Sequence, residues 1–216
     1  MLMSPVFVCG VSRSILGQPW RWRGEPCDDD LRPDDLVDRL LIARGVARGE
    51  LQRHRSPTLR DFMPDPSLFR DMDKAAERLA DAVEGREPVT VFGDYDVDGA
   101  TSAALLIRLL RGLGCDPKAY IPDRLMEGYG PSGEALVRIA KGGARLIVTV
   151  DCGAQAFEAL AMARSAGVDV IVVDHHKCAS RLPEGYAVVN PNRLDEGEEA
   201  AAHGHLAAVG VAFLLG

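Results

Sequence analysis

Residues 89–99 read Val89-Thr90-Val91-Phe92-Gly93-Asp94-Tyr95-Asp96-Val97-Asp98-Gly99, an apolar run that breaks into alternating carboxylates. Its first four residues are β-branched or aromatic and suit a strand. The glycines flanking the acids let the backbone turn sharply. Two later segments end in the same way, Leu146-Ile147-Val148-Thr149-Val150-Asp151 and Val170-Ile171-Val172-Val173-Asp174. Such nearly continuous apolar runs mark strands buried on both faces, as in a parallel sheet.

Working outward, helical and strand-like stretches alternate. Residues 99–113, 132–141 and 154–166 read as helices, and residues 118–121, 145–150, 169–173 and 187–189 as strands. This alternation predicts an α/β, Rossmann-like domain with a mainly parallel sheet and helices on both faces. Upstream, Met72, Ala75, Ala76, Leu79 and Val83 recur at helical spacing, so an amphipathic helix is expected from residue 69 to about residue 85. Pro5, Pro19, Pro26 and Pro33 and the acids at 28–30 predict an irregular arm, then a helix over residues 33–44 and a Pro-bearing linker over 56–66. The expected division is therefore 1–66, an arm, helix and linker, and 67–216, the α/β domain; residues 196–202 read as a solvated loop.

The chain has 216 residues and a formal charge of -7. That acidity argues against a protein held on nucleic acid by bulk charge alone, but acids gathered around cations would lower the net charge while leaving a locally positive site. Residues 1–60 carry ten Arg against eight acids, and the remainder carries fifteen basic residues against twenty-four acids. The Arg-rich part is a candidate surface for tracking phosphates, or simply a solvated one. The five cysteines, Cys9, Cys27, Cys115, Cys152 and Cys178, form no Cys-x-x-Cys pair. The first Arg, at position 13, follows the initial apolar patch, the reverse of a signal peptide's order. No run reaches the ~18–20 apolar residues of a membrane span. A reducing cytoplasm and no membrane association are the resulting expectations.

In a parallel sheet all C-terminal strand ends lie along one edge, where α/β proteins bind ligands. Neighbouring strands lie ~4.8 Å apart, so Asp94, Asp151 and Asp174 are expected to converge, within reach of cations spaced ~3.5–4 Å apart. If residues 94–98 are extended, Asp94, Asp96 and Asp98 share one face; three carboxylates that close repel unless cations neutralise them. His175 and His176 add imidazole nitrogen. Oxygen and nitrogen donors with little sulfur suit Mn²⁺ best, Mg²⁺ acceptably and zinc less well. A calcium loop counted from Asp94 would need Glu at its twelfth position, which is Leu105. For Asp151 alone, capping of the following helix is the competing explanation.

Asp174-His175-His176, together with residues 93–102 (Gly-Asp-Tyr-Asp-Val-Asp-Gly-Ala-Thr-Ser), resembles the DHH phosphoesterase superfamily and, within it, the RecJ family of single-stranded-DNA-specific exonucleases. Residues 68–75, 127–130 (Glu-Gly-Tyr-Gly), 149–153 and 189–192 (Val-Asn-Pro-Asn) extend the likeness. The resemblance implies a Mn²⁺- or Mg²⁺-dependent phosphodiesterase degrading single-stranded DNA from its 5′ end in recombination and repair, with a cation-activated water as nucleophile. It assigns Asp96, Asp98, Asp151 and His175 to metal-binding motifs, with Asp94 and His176 in supporting or substrate-facing places. It names no protein partner. On the loop after the second strand, Arg124 and Tyr129 are candidates to hold phosphate and stack a base, with Glu127 beside them. The family also has a fourth metal-binding motif and a second domain, and the chain ends in a stretch, residues 205–216, like the one preceding that motif. A fragment with weak or no activity alone is therefore expected.

Three rivals stand beside this reading. Asp96-Val97-Asp98-Gly99 resembles the start of HAD-type phosphatases, but Thr101 falls one residue late for that pattern. A DHH hydrolase of pyrophosphate or of short or cyclic oligonucleotides is a second, and a non-catalytic DHH-fold binding module a third.

Overall fold

The computed structural model describes residues 10–21 and 33–216; the arm expected before residue 33 lies largely outside them. The chain divides into two compact units, one ending at Met63 and one spanning Pro64–Gly216. The first contains α1 (Pro33–Ile42), α2 (Leu51–Arg55) and α3 (Leu59–Phe62), the last inside the stretch expected to be a plain linker. Thr58 caps α3 by accepting from the Asp61 N–H, which explains why a helix starts just after Pro57.

The second unit is a five-stranded, wholly parallel sheet in the order β2-β1-β3-β4-β5. Its strands are β1 (Val89–Gly93), β2 (Lys118–Tyr120), β3 (Leu146–Val150), β4 (Asp169–Val173) and β5 (Ala187–Val189). Its helices are α4 (Met72–Glu84), α5 (Val97–Gly112), α6 (Arg124–Glu127), α7 (Gly133–Lys141), α8 (Phe157–Ser165), α9 (Glu198–Ala201) and α10 (Ala208–Leu215). The two-residue side-chain period of the strands feeds two cores. Val89, Val91, Leu146, Val148, Val150, Ile171 and Val173 meet α4, α5 and α10 on one face; Phe92, Ile147, Val170, Val172 and Val188 meet α7 and α8 on the other. Fully buried side chains such as Leu106, Leu110, Leu136 and Leu160 contribute roughly 1.5–3 kcal/mol each through burial.

The sheet order reverses at β1: the chain passes to β2 on one side and returns to β3 on the other. Such a switch point opens a crevice at the C-terminal strand ends. Register aligns Gly93 with Val150, Val150 with Val173, and Val173 with Val189. The residues one step beyond, Asp94, Asp151, Asp174 and Asn190, therefore stand in one row along that edge.

Several expectations change in detail. The segment 94–98 is not one extended stretch: α5 begins at Val97, two residues earlier than expected, because the Asp96 carboxylate caps it, accepting from the Gly99 N–H at 3.0 Å. Asp98 thus sits in the first helical turn. Gly99 is required there, since a Cβ would lie 2.6 Å from the Asp94 backbone. The helix expected from residue 154 begins at Phe157, and residues 196–202, expected as a solvated loop, include α9 with Ala200 buried. Among the described residues, no helix is long and apolar enough to cross a membrane.

Candidate metal centre

Two overlapping groups of donors converge at the switch point: Asp94, Asp96 and Asp151, and Asp151, His175 and His176, each with its ligand atoms within 4.8 Å of one another. Asp151 belongs to both. It does not cap α8, whose N-cap is Ala156 with no side-chain bond, so the competing explanation for this residue fails. Its backbone is left-handed, with φ 61°, a conformation that Asp tolerates better than most residues; this turns the carboxylate back over the strand ends. Gly153, at φ 110°, completes the turn where a Cβ would press on Thr149 Oγ1 at 2.8 Å.

Asp94 and Asp151 are 3% and 2% exposed, and Oδ1 of each is buried with no hydrogen-bond partner among the described residues. Asp151 Oδ1 lies 3.2 Å from His175 Nε2, close enough to share an ion though not aligned as a hydrogen bond. Buried carboxylate oxygens without donors are costly, and here they point into a cluster of their own kind. Burial, then the charge of Asp98 and the hydrogen bond and charge of Asp96, push the Asp151 carboxyl up to about 7. Burial also raises Asp94, ahead of repulsion from Asp96. The Gly99 N–H holds Asp96 below the ordinary carboxylate range. A divalent cation would offset both the burial and the repulsion that raise the first two.

Each histidine is aimed by its other ring nitrogen. His175 Nδ1 lies 3.1 Å from the Leu206 carbonyl, which can only accept, so Nδ1 carries the proton and Nε2 presents a lone pair toward Asp151. His176 Nδ1 donates to Asp174 Oδ1 at 2.7 Å, a bond that raises the His176 pKa. For Asp174, burial works upward, but the His176 side chain and the Ala154 and His176 amides outweigh it and hold the carboxylate below the usual range. Asp174 is therefore occupied: it accepts from the His176 ring and from the amides of Ala154, His175 and His176. It orients ligands instead of offering one.

Asp98 also departs from expectation. Its Oδ2 accepts from the Ala208 N–H at 2.8 Å and its Oδ1 from the Val209 N–H at 2.9 Å, so the carboxylate anchors the start of α10. It stays beside the cluster, 3.6 Å from His175 Nε2, but is not a member of either donor group. The helix geometry responsible begins with the Asp96 cap.

On the loop side, the Tyr129 hydroxyl lies 3.3 Å from His176 Nε2, and Tyr129 meets Tyr95 edge-on. Arg124 opens α6 and lays its guanidinium over the Tyr95 ring at 4.8 Å. Glu127 faces away, accepting from the Tyr120 hydroxyl and from Arg138.

Two asparagines were not singled out as site residues from the sequence. Asn190 Nδ2 donates to the His176 carbonyl at 2.9 Å, and Asn192 Nδ2 donates to the carbonyls of His175 and Gly204 at 2.6 and 3.0 Å. Strand register was the signal available for Asn190, which follows β5 as Asp174 follows β4.

A crevice at a sheet switch point, lined by aspartates and a DHH strand end, is the kind of site where α/β proteins bind ligands, here with donors suited to a divalent cation. The chain belongs to the DHH family: the model described as "DHH family, N-terminal domain" matches residues 88–216. Among curated proteins, the single-stranded-DNA-specific exonuclease RecJ of Bacillus subtilis (strain 168) is 35% identical over 209 residues, covering 93% of this chain and 26% of that protein. RecJ of Escherichia coli (strain K12) is 40% identical over 182 residues, covering 83% and 30%. A crystal structure of exonuclease RecJ bound to manganese superposes with a TM-score of 0.60 at 38% identity, over 68% of this chain and 36% of that one. RecJ from Thermus thermophilus in complex with Mn²⁺ gives 0.56 at 31% identity, over 86% and 27%. The chain thus spans about a third or less of the length of these curated relatives.

Proposed function

We propose that this chain carries the cation-binding half of a phosphodiesterase that removes nucleotides from the 5′ end of single-stranded DNA. The observation that carries the reading is the pair of buried, partnerless carboxylate oxygens on Asp94 and Asp151, set among Asp96, His175 and His176. These donors fit Mn²⁺ or Mg²⁺, since together they offer oxygen and imidazole nitrogen without sulfur. When bound, such an ion supplies Lewis acidity to the scissile phosphate and lowers the pKa of water.

The chain's own residues supply the rest. Asp94, Asp96, Asp151 and His175 hold the cation, and Asp98 stands at the cluster's edge while fixing α10. His176, made more basic by Asp174, faces the open side of the crevice, where it can hydrogen-bond a phosphate oxygen or hand a proton to a leaving group. Arg124 stacked on Tyr95 offers charge to a phosphate, and the exposed Tyr129 ring offers a face to a base. Relatives named for action on single-stranded DNA support this substrate over pyrophosphate or cyclic dinucleotides.

The test is a single-turnover assay, with the chain in excess over single strands labelled at either end and Mn²⁺ present, so that a slow rate still registers. Labelled mononucleotide should appear early from the 5′-labelled strand alone and disappear with Asp151→Asn. Release from the 3′ end, or equal action on duplex, would refute the substrate; hydrolysis retained in Asp151→Asn would refute the site.

A further inference from the structure

β5 is one of the two outer strands of the sheet, and an outer strand presents backbone groups that no neighbouring strand pairs. Here one ion pair takes both outward groups of Val188. The Val188 N–H donates to Asp71 Oδ2 at 3.0 Å, and its carbonyl accepts from Arg193 Nη1 at 2.7 Å. The same Arg193 Nη1 donates to Asp71 Oδ2 at 2.9 Å. Arg193 is only 8% exposed, and the other edge of its guanidinium grips Asp195 with two bonds. A buried Arg without its carboxylates would leave an uncompensated charge, so the pair fixes the position of both segments. Asp71 itself has φ 62° just before α4, a conformation uncommon for a residue other than glycine and held here by its bonds to Val188 and Arg193.

What this pair holds is the turn at residues 190–193. The Arg193 N–H closes it onto the Asn190 carbonyl at 3.2 Å, and Asn190 Oδ1 accepts from the Asn192 N–H at 2.8 Å. From that turn the two asparagine amides reach the carbonyls of His176 and His175. An unbroken series of hydrogen bonds therefore runs from Asp71, which precedes the family-matched residues 88–216, to the backbone of both histidines. We propose that Asp71 and Arg193 are positioning residues for His175 and His176, so that the segment before the DHH domain helps set the affinity of the metal centre. This rests on the metal-centre reading above. If the pair only sealed the sheet edge, its loss would lower stability and nothing else.

The experiment is calorimetric titration of the 216-residue chain with Mn²⁺ alone, comparing wild type, Asp71→Asn, Arg193→Lys and the core control Leu79→Ala. Direct hydrogen-bond partners of metal-ligating groups alter affinity by about 10–100-fold; Asp71 and Arg193 act one remove further out, through Asn190 and Asn192, so each conservative variant should weaken Mn²⁺ by roughly 3–10-fold. The double variant should weaken it no further, because one pair is broken once. Leu79→Ala should lower the melting temperature and leave affinity unchanged. Long-range ¹H–¹⁵N spectra of the metal-free chain give a second readout: the His175 and His176 imidazole signals should shift in both conservative variants and not in the control. Affinities within about twofold of wild type with unmoved imidazole signals would overturn the positioning role. A wild type that fails to bind Mn²⁺ would overturn the metal-centre reading instead, and the two failures are distinct.

Discussion

Replacing Asp151 with Asn should make the cation-free protein more stable even as it disables the site. Asp151 is 2% exposed, and its carboxyl is raised from an ordinary 3.8 to about 7. A group whose folded pKa is raised favours folding only while protonated: its contribution is fully present below about pH 4 and is lost as pH climbs through about 7. At ~1.36 kcal/mol per pH unit, ionising it at pH 8 costs the folded state about 4 kcal/mol. Asn carries no charge, but its amide N–H groups need acceptors and recover only part of that, so a gain of about 1–3 kcal/mol is expected at pH 8. At pH 5 the unfolded chain is ionised while the folded one holds the proton, so a cost of only about 1.6 kcal/mol remains; the gain should shrink by roughly 2.7 kcal/mol and vanish or reverse. Urea denaturation in EDTA, wild type against Asp151→Asn at half-unit steps from pH 5 to 8.5, reads this directly. The reasoning is refuted if Asp151→Asn is the less stable of the two proteins at pH 8, or if the difference between them does not grow with pH.

Further outcomes follow from the same geometry. Mn²⁺ affinity should rise from pH 6 to pH 8, because the cation displaces the proton of Asp151, with a pKa of about 7. The Asp151 proton alone should cost about tenfold in affinity per pH unit below 7, measured as proton uptake or release in buffers of different ionisation enthalpy. Asp98→Ala should lower the stability of the cation-free chain by about 2–3 kcal/mol, because two amides at the start of α10 lose a charged acceptor; chemical denaturation would show it. Gly99→Ala should cost about 2–3 kcal/mol, since its Cβ would meet the Asp94 backbone at 2.6 Å, and the melting curve reports it.

The layout of the sheet was legible because its central strands, β1, β3 and β4, are buried on both faces. Runs such as Leu146–Val150 have no polar face to conceal them, and an Asp at the end of each run marked the functional edge. Asp94, Asp96, Asp151, His175 and His176 were accordingly singled out from the sequence, and the fold brings them together. Around Asp98 alternation was read as extended backbone, whereas Asp96, immediately ahead of the helix start, caps that helix. The Asp96 cap turns residues 97 and 98 into helix and delivers the Asp98 carboxylate to α10, more than a hundred residues along the chain. That contact depends on tertiary packing, which no local pattern encodes. The roles of Asn190 and Asn192 were likewise hidden: their amides bond to backbone carbonyls, and backbone groups leave no mark on the identity of the residues that supply them.

The proposed function stands on Asp94, Asp96, Asp151 and His175 forming a cation site, flanked by Asp174 and His176. Crystals of the 216-residue chain soaked in Mn²⁺ and recorded at the manganese absorption edge test it most directly. An anomalous peak is predicted between Asp94, Asp96, Asp151 and His175, absent from crystals of Asp151→Asn grown and soaked alike. A map with no peak among those side chains, or with manganese bound only elsewhere on the surface, would contradict it.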